Sequence, residues 1–216
     1  KRMNFFKLTA LLSNVDCSEQ EVSFCRETLK TIQNDLQTQE LFFDYCKTWK
    51  MAAWINVQLK KHHLTDLLLQ QTIDQFEAFH QKITHENESR NQVARLFLQI
   101  FHEKNIDVII LKGNLLAHTV YHDLGYKKMN DFDLLIKQED WLKVQNIYFD
   151  LGYIPMGFGW GGEKQKPTKF SHTAIPFISP DFKCIIGTQW GLKSPTAPYK
   201  INSDEAWKTA LPFTFQ

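Results

Sequence analysis

The stretch from Val108 to Ile136, VIILKGNLLAHTVYHDLGYKKMNDFDLLI, decides how the rest of the chain is read. Val108-Ile109-Ile110-Leu111 is a short uninterrupted apolar run rich in β-branched residues, the pattern of a strand buried on both faces. Lys112-Gly113-Asn114 ends it, and Leu115, Leu116, His118, Thr119 and Val120 continue at spacings a helix uses, so the unit reads strand, glycine turn, helix. The start of a helix carries backbone N–H groups without intrahelical partners and a partial positive charge. A phosphate can therefore sit over Gly113 and Asn114, with Lys112 beside it.

The other end of the stretch, Asp131-Phe132-Asp133 before Leu134-Leu135-Ile136, reads as a strand with acids at its entrance. Side chains alternate along a strand, so Asp131 and Asp133 share one face, roughly 6–7 Å apart, and Phe132 takes the other. Two carboxylates on one rigid strand can hold Mg²⁺ ions that clamp the attacking and leaving oxygens of phosphoryl transfer. Taken alone, Asp-x-Asp is a weak signal and far more often the pattern of a solvated turn before a strand.

The two halves together carry more. LKGNLLA, then a Tyr, then KKMNDFDLLI, then a helix ending in LGY, resembles the uncharacterised nucleotidyltransferase family, which shares the polymerase-β-like nucleotidyltransferase fold. The resemblance is best over Ile106 to Tyr153, weaker out to Phe213 and general in the N-terminal half. It implies an α+β fold with a helical region over 1–105 followed by a small mixed-sheet core over 106–216. It also implies that Asp131 and Asp133 match the metal-binding aspartates, and that Lys112 and Gly113 match the turn. Lys127 falls where the family usually has Arg. Ile185 to Trp190 is similar to a family strand written with an acid, an aliphatic residue, His and Trp, but Gly187 stands at the acid and Gln189 at the His.

The activity implied is metal-dependent transfer of an NMP unit from an NTP, ATP by default, onto a small molecule, an RNA end or a protein, with release of pyrophosphate. In that reading Asp131 and Asp133 bind Mg²⁺. Gly113 and Asn114 cradle the phosphates by backbone N–H, and Lys112 or Lys127 balances their charge. The competing class is a degenerate nucleotidyltransferase fold serving as a nucleotide-binding or protein-interaction module, for which Gly187 is the main support. A helical adaptor is a third reading, and it leaves the two aspartates without a role.

Composition narrows the classes. The 216 residues are 43% hydrophobic, enough for a sizeable core, and 25 Lys and Arg against 24 Asp and Glu give no global attraction to nucleic acid or to an anionic membrane. Cys17, Cys25, Cys46 and Cys184 are widely spaced and form no Cys-x-x-Cys pair, so free thiols in a reducing cytoplasm are expected. No apolar run approaches the roughly 18–20 residues of a membrane span. The first residue is not Met and the last are Phe-Thr-Phe-Gln, the pattern of a piece of a longer protein.

Up to about Asn105 there is neither Gly nor Pro, and every Gly and Pro lies beyond it. Ser18-Glu19-Gln20-Glu21 fits a capping box opening a helix to about Gln33, with Val22, Cys25, Leu29 and Ile32 as its stripe. One helix is expected from about Thr38 to Lys61, with Leu41 and Trp49 near its apolar face, then two more over Leu64 to Ile83 and Glu86 to Glu103. The last of these is expected to pack on the sheet. His62 and His63 read as solvated helix-end residues, His80 and His85 as structural, and the many aromatics as core rather than base-stacking platforms. After the acidic strand, Trp141, Val144, Ile147 and Tyr148 form a helical face capped by Gly152. Gly157 to Gly162 reads as a loop with a charged tip at Glu163. Lys169 to Ile178 and Phe182 to Trp190 read as two strands, with His172 a candidate to face the site.

Overall fold

The strand at Val108 forms over the residues expected, but at the edge of a sheet instead of its middle. The computed structural model describes residues 5–157, 165–199 and 201–214. The architecture is α+β, with the helices concentrated in the N-terminal half and a five-stranded mixed sheet after it. The chain gathers into two compact units. One holds the residues up to Glu88 with Leu116–Lys128, the other Ser89–Leu115 with the residues from Met129 onward. The change of composition near Asn105 falls inside a segment of the second unit.

The first unit contains α1 (Phe5–Leu12), α2 (Glu19–Lys30), α3 (Leu36–Thr48), α4 (Ala52–Lys61), a 3-10 turn at Thr65–Leu67, and the start of α5 (Gln70–Glu103). The capping box is in place. The Ser18 hydroxyl accepts the Glu21 N–H at 3.3 Å, and the Glu21 carboxylate accepts the Ser18 N–H at 2.8 Å. Cys25, Leu29 and Ile32 are buried with Leu8, Leu12, Phe42 and Phe76 in this unit's core.

Two helix boundaries differ from the sequence expectation. The helix expected over Thr38 to Lys61 breaks after Thr48, where Lys50 takes a left-handed conformation (φ 60°) and the Met51 N–H returns to the Cys46 carbonyl at 2.8 Å. Leu41 and Trp49, expected on the apolar stripe, are exposed. Conversely, the patterns over 64–83 and 86–103 belong largely to the single helix α5, because no Gly, Pro or competing cap near His85 stops it. The four cysteines are free. Burial pushes the Cys25 and Cys46 thiols up to about 12 and Cys184 to about 11, which keeps them unreactive.

The second unit contains the rest of α5, then β1 (Val108–Leu111), the start of α6 (Lys112–Thr119), β2 (Asp131–Ile136), a 3-10 turn at Gln138–Asp140 and α7 (Trp141–Asp150). It continues through β3 (Ile154–Pro155), β4 (Phe177–Ile178), β5 (Ile185–Gln189) and α8 (Ser203–Thr209). The strands lie in the order β1-β2-β5-β4-β3. β2 is antiparallel to β1 and parallel to β5. β2 is thus an interior strand, paired on both sides, and the half-buried β1 is an edge strand.

Phe132, Leu134 and Ile136 face a core built with Phe97 and Phe101 of α5 and Trp141, Val144 and Tyr148 of α7, so the helix with the cleanest apolar spacing does pack on the sheet. By alternation Asp131, Asp133 and Leu135 take the opposite face. Gly152 has φ 78° and ends α7, with the Tyr153 N–H returning to the Tyr148 carbonyl at 2.9 Å. The two strands expected over 169–190 are shorter than read, with an isolated bridge joining Thr173 to Gln189. Most of the glycine-rich loop, together with Glu163, lies outside the described residues. Among the described residues no helix is long and apolar enough to cross a membrane.

Candidate active site

Register assembles the site. In the antiparallel pairing of β1 and β2, Leu111 lies opposite Asp133, so the next residue, Lys112, leaves the strand beside that carboxylate. Its ammonium is 2.9 Å from Asp133 Oδ2. On the other side of β2 the parallel pairing with β5 puts Gly187 opposite Asp133 and Ile185 opposite Asp131. Asp131 is exposed at the open start of the strand, whereas Asp133 is 7% exposed.

The electrostatics of Asp133 follow from that burial. Desolvation lifts its carboxyl above the ordinary carboxylate value, the charge of Asp131 adds to the lift, and the hydrogen bond and charge of Lys112 oppose it. Gly187 provides room on the far side. A Cβ at position 187 would stand 2.7 Å from Asp133 Oδ1, closer than real contacts allow, so the present carboxylate position depends on a residue without a side chain. Gly187 and Asp133 share one row of the sheet.

The strand-to-helix corner departs from the expected glycine turn. Lys112, a non-glycine residue, takes the left-handed conformation (φ 56°), and Gly113 does not. Such backbone costs a bulky residue on the order of 1–3 kcal/mol. Helix α6 begins at Lys112 itself, and Gly113 and Asn114 lie in its first turn. Asn114 is 1% exposed and its Nδ2 has no hydrogen-bond partner among the described residues, a donor left over at the corner where a phosphate was expected.

Lys112, Gly113, Asn114, Asp131 and Asp133 are thus all in the second unit, three of them in one helical turn and two on one strand face. Lys127 belongs to the first unit, where it is exposed with its ammonium 6.0 Å from the Tyr126 ring centroid. The carbonyl of His172 accepts N–H groups of Trp190 (2.8 Å) and Gly191 (3.0 Å), so its backbone closes the end of β5. Among the described residues no group of three or more His, Cys, Asp or Glu is arranged to hold a metal ion. Two hard carboxylate donors, one of them solvent-facing, suit an ion such as Mg²⁺ that keeps most of its waters and takes further oxygens from a bound phosphate.

One feature escaped the sequence reading. In the first unit, Asp123 Oδ1 is 2.9 Å from His80 Nε2 and accepts the Gly125 N–H at 2.6 Å, and Asn87 Nδ2 donates to the carbonyls of Leu124 (2.6 Å) and Lys127 (2.9 Å). These bonds fasten the segment between α6 and β2 to α5. The Asp-Leu-Gly turn was its signal.

A family model described as uncharacterised nucleotidyltransferase matches residues 35–216, most of the chain. No curated protein and no solved structure matches it.

Proposed function

The chain belongs to the uncharacterised nucleotidyltransferase family, and on that premise we propose that it transfers an NMP unit from an NTP, ATP by default, to an acceptor hydroxyl or phosphate-like oxygen. Family membership supports nucleotidyl transfer as the general activity and a nucleotide as substrate. The observation that carries the finer reading is the placement of Asp131 and Asp133 on one face of the interior strand β2, with Lys112 at 2.9 Å from Asp133. In this reading Asp131 and Asp133 hold Mg²⁺, which supplies charge neutralisation of the phosphates. The first turn of α6 at Gly113 and Asn114 receives phosphate oxygens, and the Asn114 carboxamide offers a buried donor.

The test is incubation of the chain with Mg²⁺ and α-³²P-labelled NTPs, following pyrophosphate release and labelled product. Activity in the parent that falls at least about a hundredfold in Asp131→Asn and Asp133→Asn supports the proposal, since metal-held charge stabilisation is worth several kcal/mol. Transfer indifferent to both substitutions overturns it. Gly187 favours a second reading, a nucleotide-binding module without transfer, because the strand beside Asp133 lacks an acid there. Binding of Mg-ATP without pyrophosphate release would select it.

A further inference from the structure

The site differs from a plain pair of acids in that one acid already carries a cation of the protein's own. Asp133 Oδ2 is 2.9 Å from the Lys112 ammonium, and Oδ1 fills the space that Gly187 leaves. Any divalent ion bound through Asp133 needs the same carboxylate, and a second cation within a few ångströms of an ammonium is repelled by it. The two partners also differ in mobility. The Lys112 side chain is 62% exposed, so it can swing away without unpacking anything, while the Asp133 side chain, 10% exposed, stays.

We propose that Lys112 is a displaceable internal counter-ion of Asp133, so that the site takes a divalent metal together with a polyphosphate in preference to the metal alone. This rests on the nucleotidyltransferase reading above. A bare ion that displaces Lys112 leaves the ammonium without an anion. A metal–triphosphate complex supplies one, because Lys112 is the first residue of α6 and remains tethered at the turn where phosphate oxygens are received. The lysine then changes partner from carboxylate to phosphate. Linkage makes the effect reciprocal: the nucleotide raises metal affinity by the factor by which the metal raises nucleotide affinity.

The test measures Mn²⁺ binding directly, by the electron paramagnetic resonance signal of the free ion, with and without a non-hydrolysable ATP analogue. The full chain is compared with Lys112→Met and Lys112→Arg. Removing the charge should tighten binding of Mn²⁺ alone about tenfold, the equivalent of 1.4 kcal/mol of relieved repulsion. The enhancement of Mn²⁺ binding by the analogue should shrink by a similar factor, and Lys112→Arg should stay near the parent in both measurements. A lysine with only a structural role would weaken both ligands in Lys112→Met. Unchanged or weaker Mn²⁺ binding by Lys112→Met, in a parent that binds Mn²⁺ with the analogue, overturns the exchange and leaves the nucleotidyltransferase reading intact. A parent that takes up neither Mn²⁺ nor the analogue overturns both.

Discussion

Among the carboxylates that lean on a basic side chain, Asp123 in the first unit and Asp133 in the second are held in opposite ways. Asp123 is enclosed. Its Oδ1 meets His80 Nε2 and the Gly125 N–H, the His80 and Asp123 side chains are only 20% and 22% exposed, and Gly125 is buried against His80 and Thr84. Asp133 meets a mostly exposed ammonium through one oxygen and a glycine's empty side through the other. A carboxylate whose partners are themselves packed fixes a piece of structure. One whose partner is a solvent-facing lysine keeps its place while leaving its charge available for exchange.

Substitutions at the two sites test that contrast. The largest effect is expected at Gly125, where an added Cβ would stand 2.5 Å from His80 Nε2 with the Thr84 hydroxyl also in the way. Gly125→Ala should cost about 1–3 kcal/mol in urea unfolding, the usual range for overpacking. A midpoint equal to the parent's would show that this packing gives way easily.

Asp123→Ala comes next. It removes the acceptor of the Gly125 N–H and of His80, a loss of about 1–3 kcal/mol for groups left unsatisfied. Asp133→Asn should do the reverse, leaving thermal stability near the parent's or slightly above it, because it relieves the cost of a desolvated charge next to Asp131. Equal losses in the two variants would erase the distinction between the carboxylates.

The smallest effect is a pH slope. Burial first of all raises the Asp133 carboxyl, so between the ordinary carboxylate value and the raised one the folded chain retains a proton that the unfolded chain has lost. Stability from this group is therefore present below the ordinary value and is lost as pH rises through the raised one. Across mildly acid pH Asp133 should therefore contribute a slight fall of the unfolding midpoint with rising pH, read as the difference in slope between the parent and Asp133→Asn. Identical slopes would contradict the assigned cause.

The legible features were those written in local pattern. Alternation and β-branching delimited β1 and β2, the capping box opened α2, and Gly152 closed α7. What escaped depends on partners distant in sequence. Val108 to Leu111 is apolar enough for a buried strand, yet sheet order puts it at an edge. The break at Lys50 replaces no helix-forming pattern with a glycine or proline, so nothing local announces it. The Asp-x-Asp spacing shows that two acids share a strand face, but the Lys112–Asp133 pair and the crowding at Gly187 arise from register between strands. The link between His80 and Asp123 spans 43 positions and leaves no periodic trace.

In the proposed function Asp131 and Asp133 hold the metal that accompanies a nucleotide. Calorimetric titration of Mg²⁺ with a non-hydrolysable ATP analogue into the parent, Asp131→Asn and Asp133→Asn tests it most directly. Binding is expected in the parent and should weaken by at least about tenfold in each variant, the loss of roughly 1.4 kcal/mol or more of metal-mediated affinity. Affinity unaltered in both variants would contradict the account.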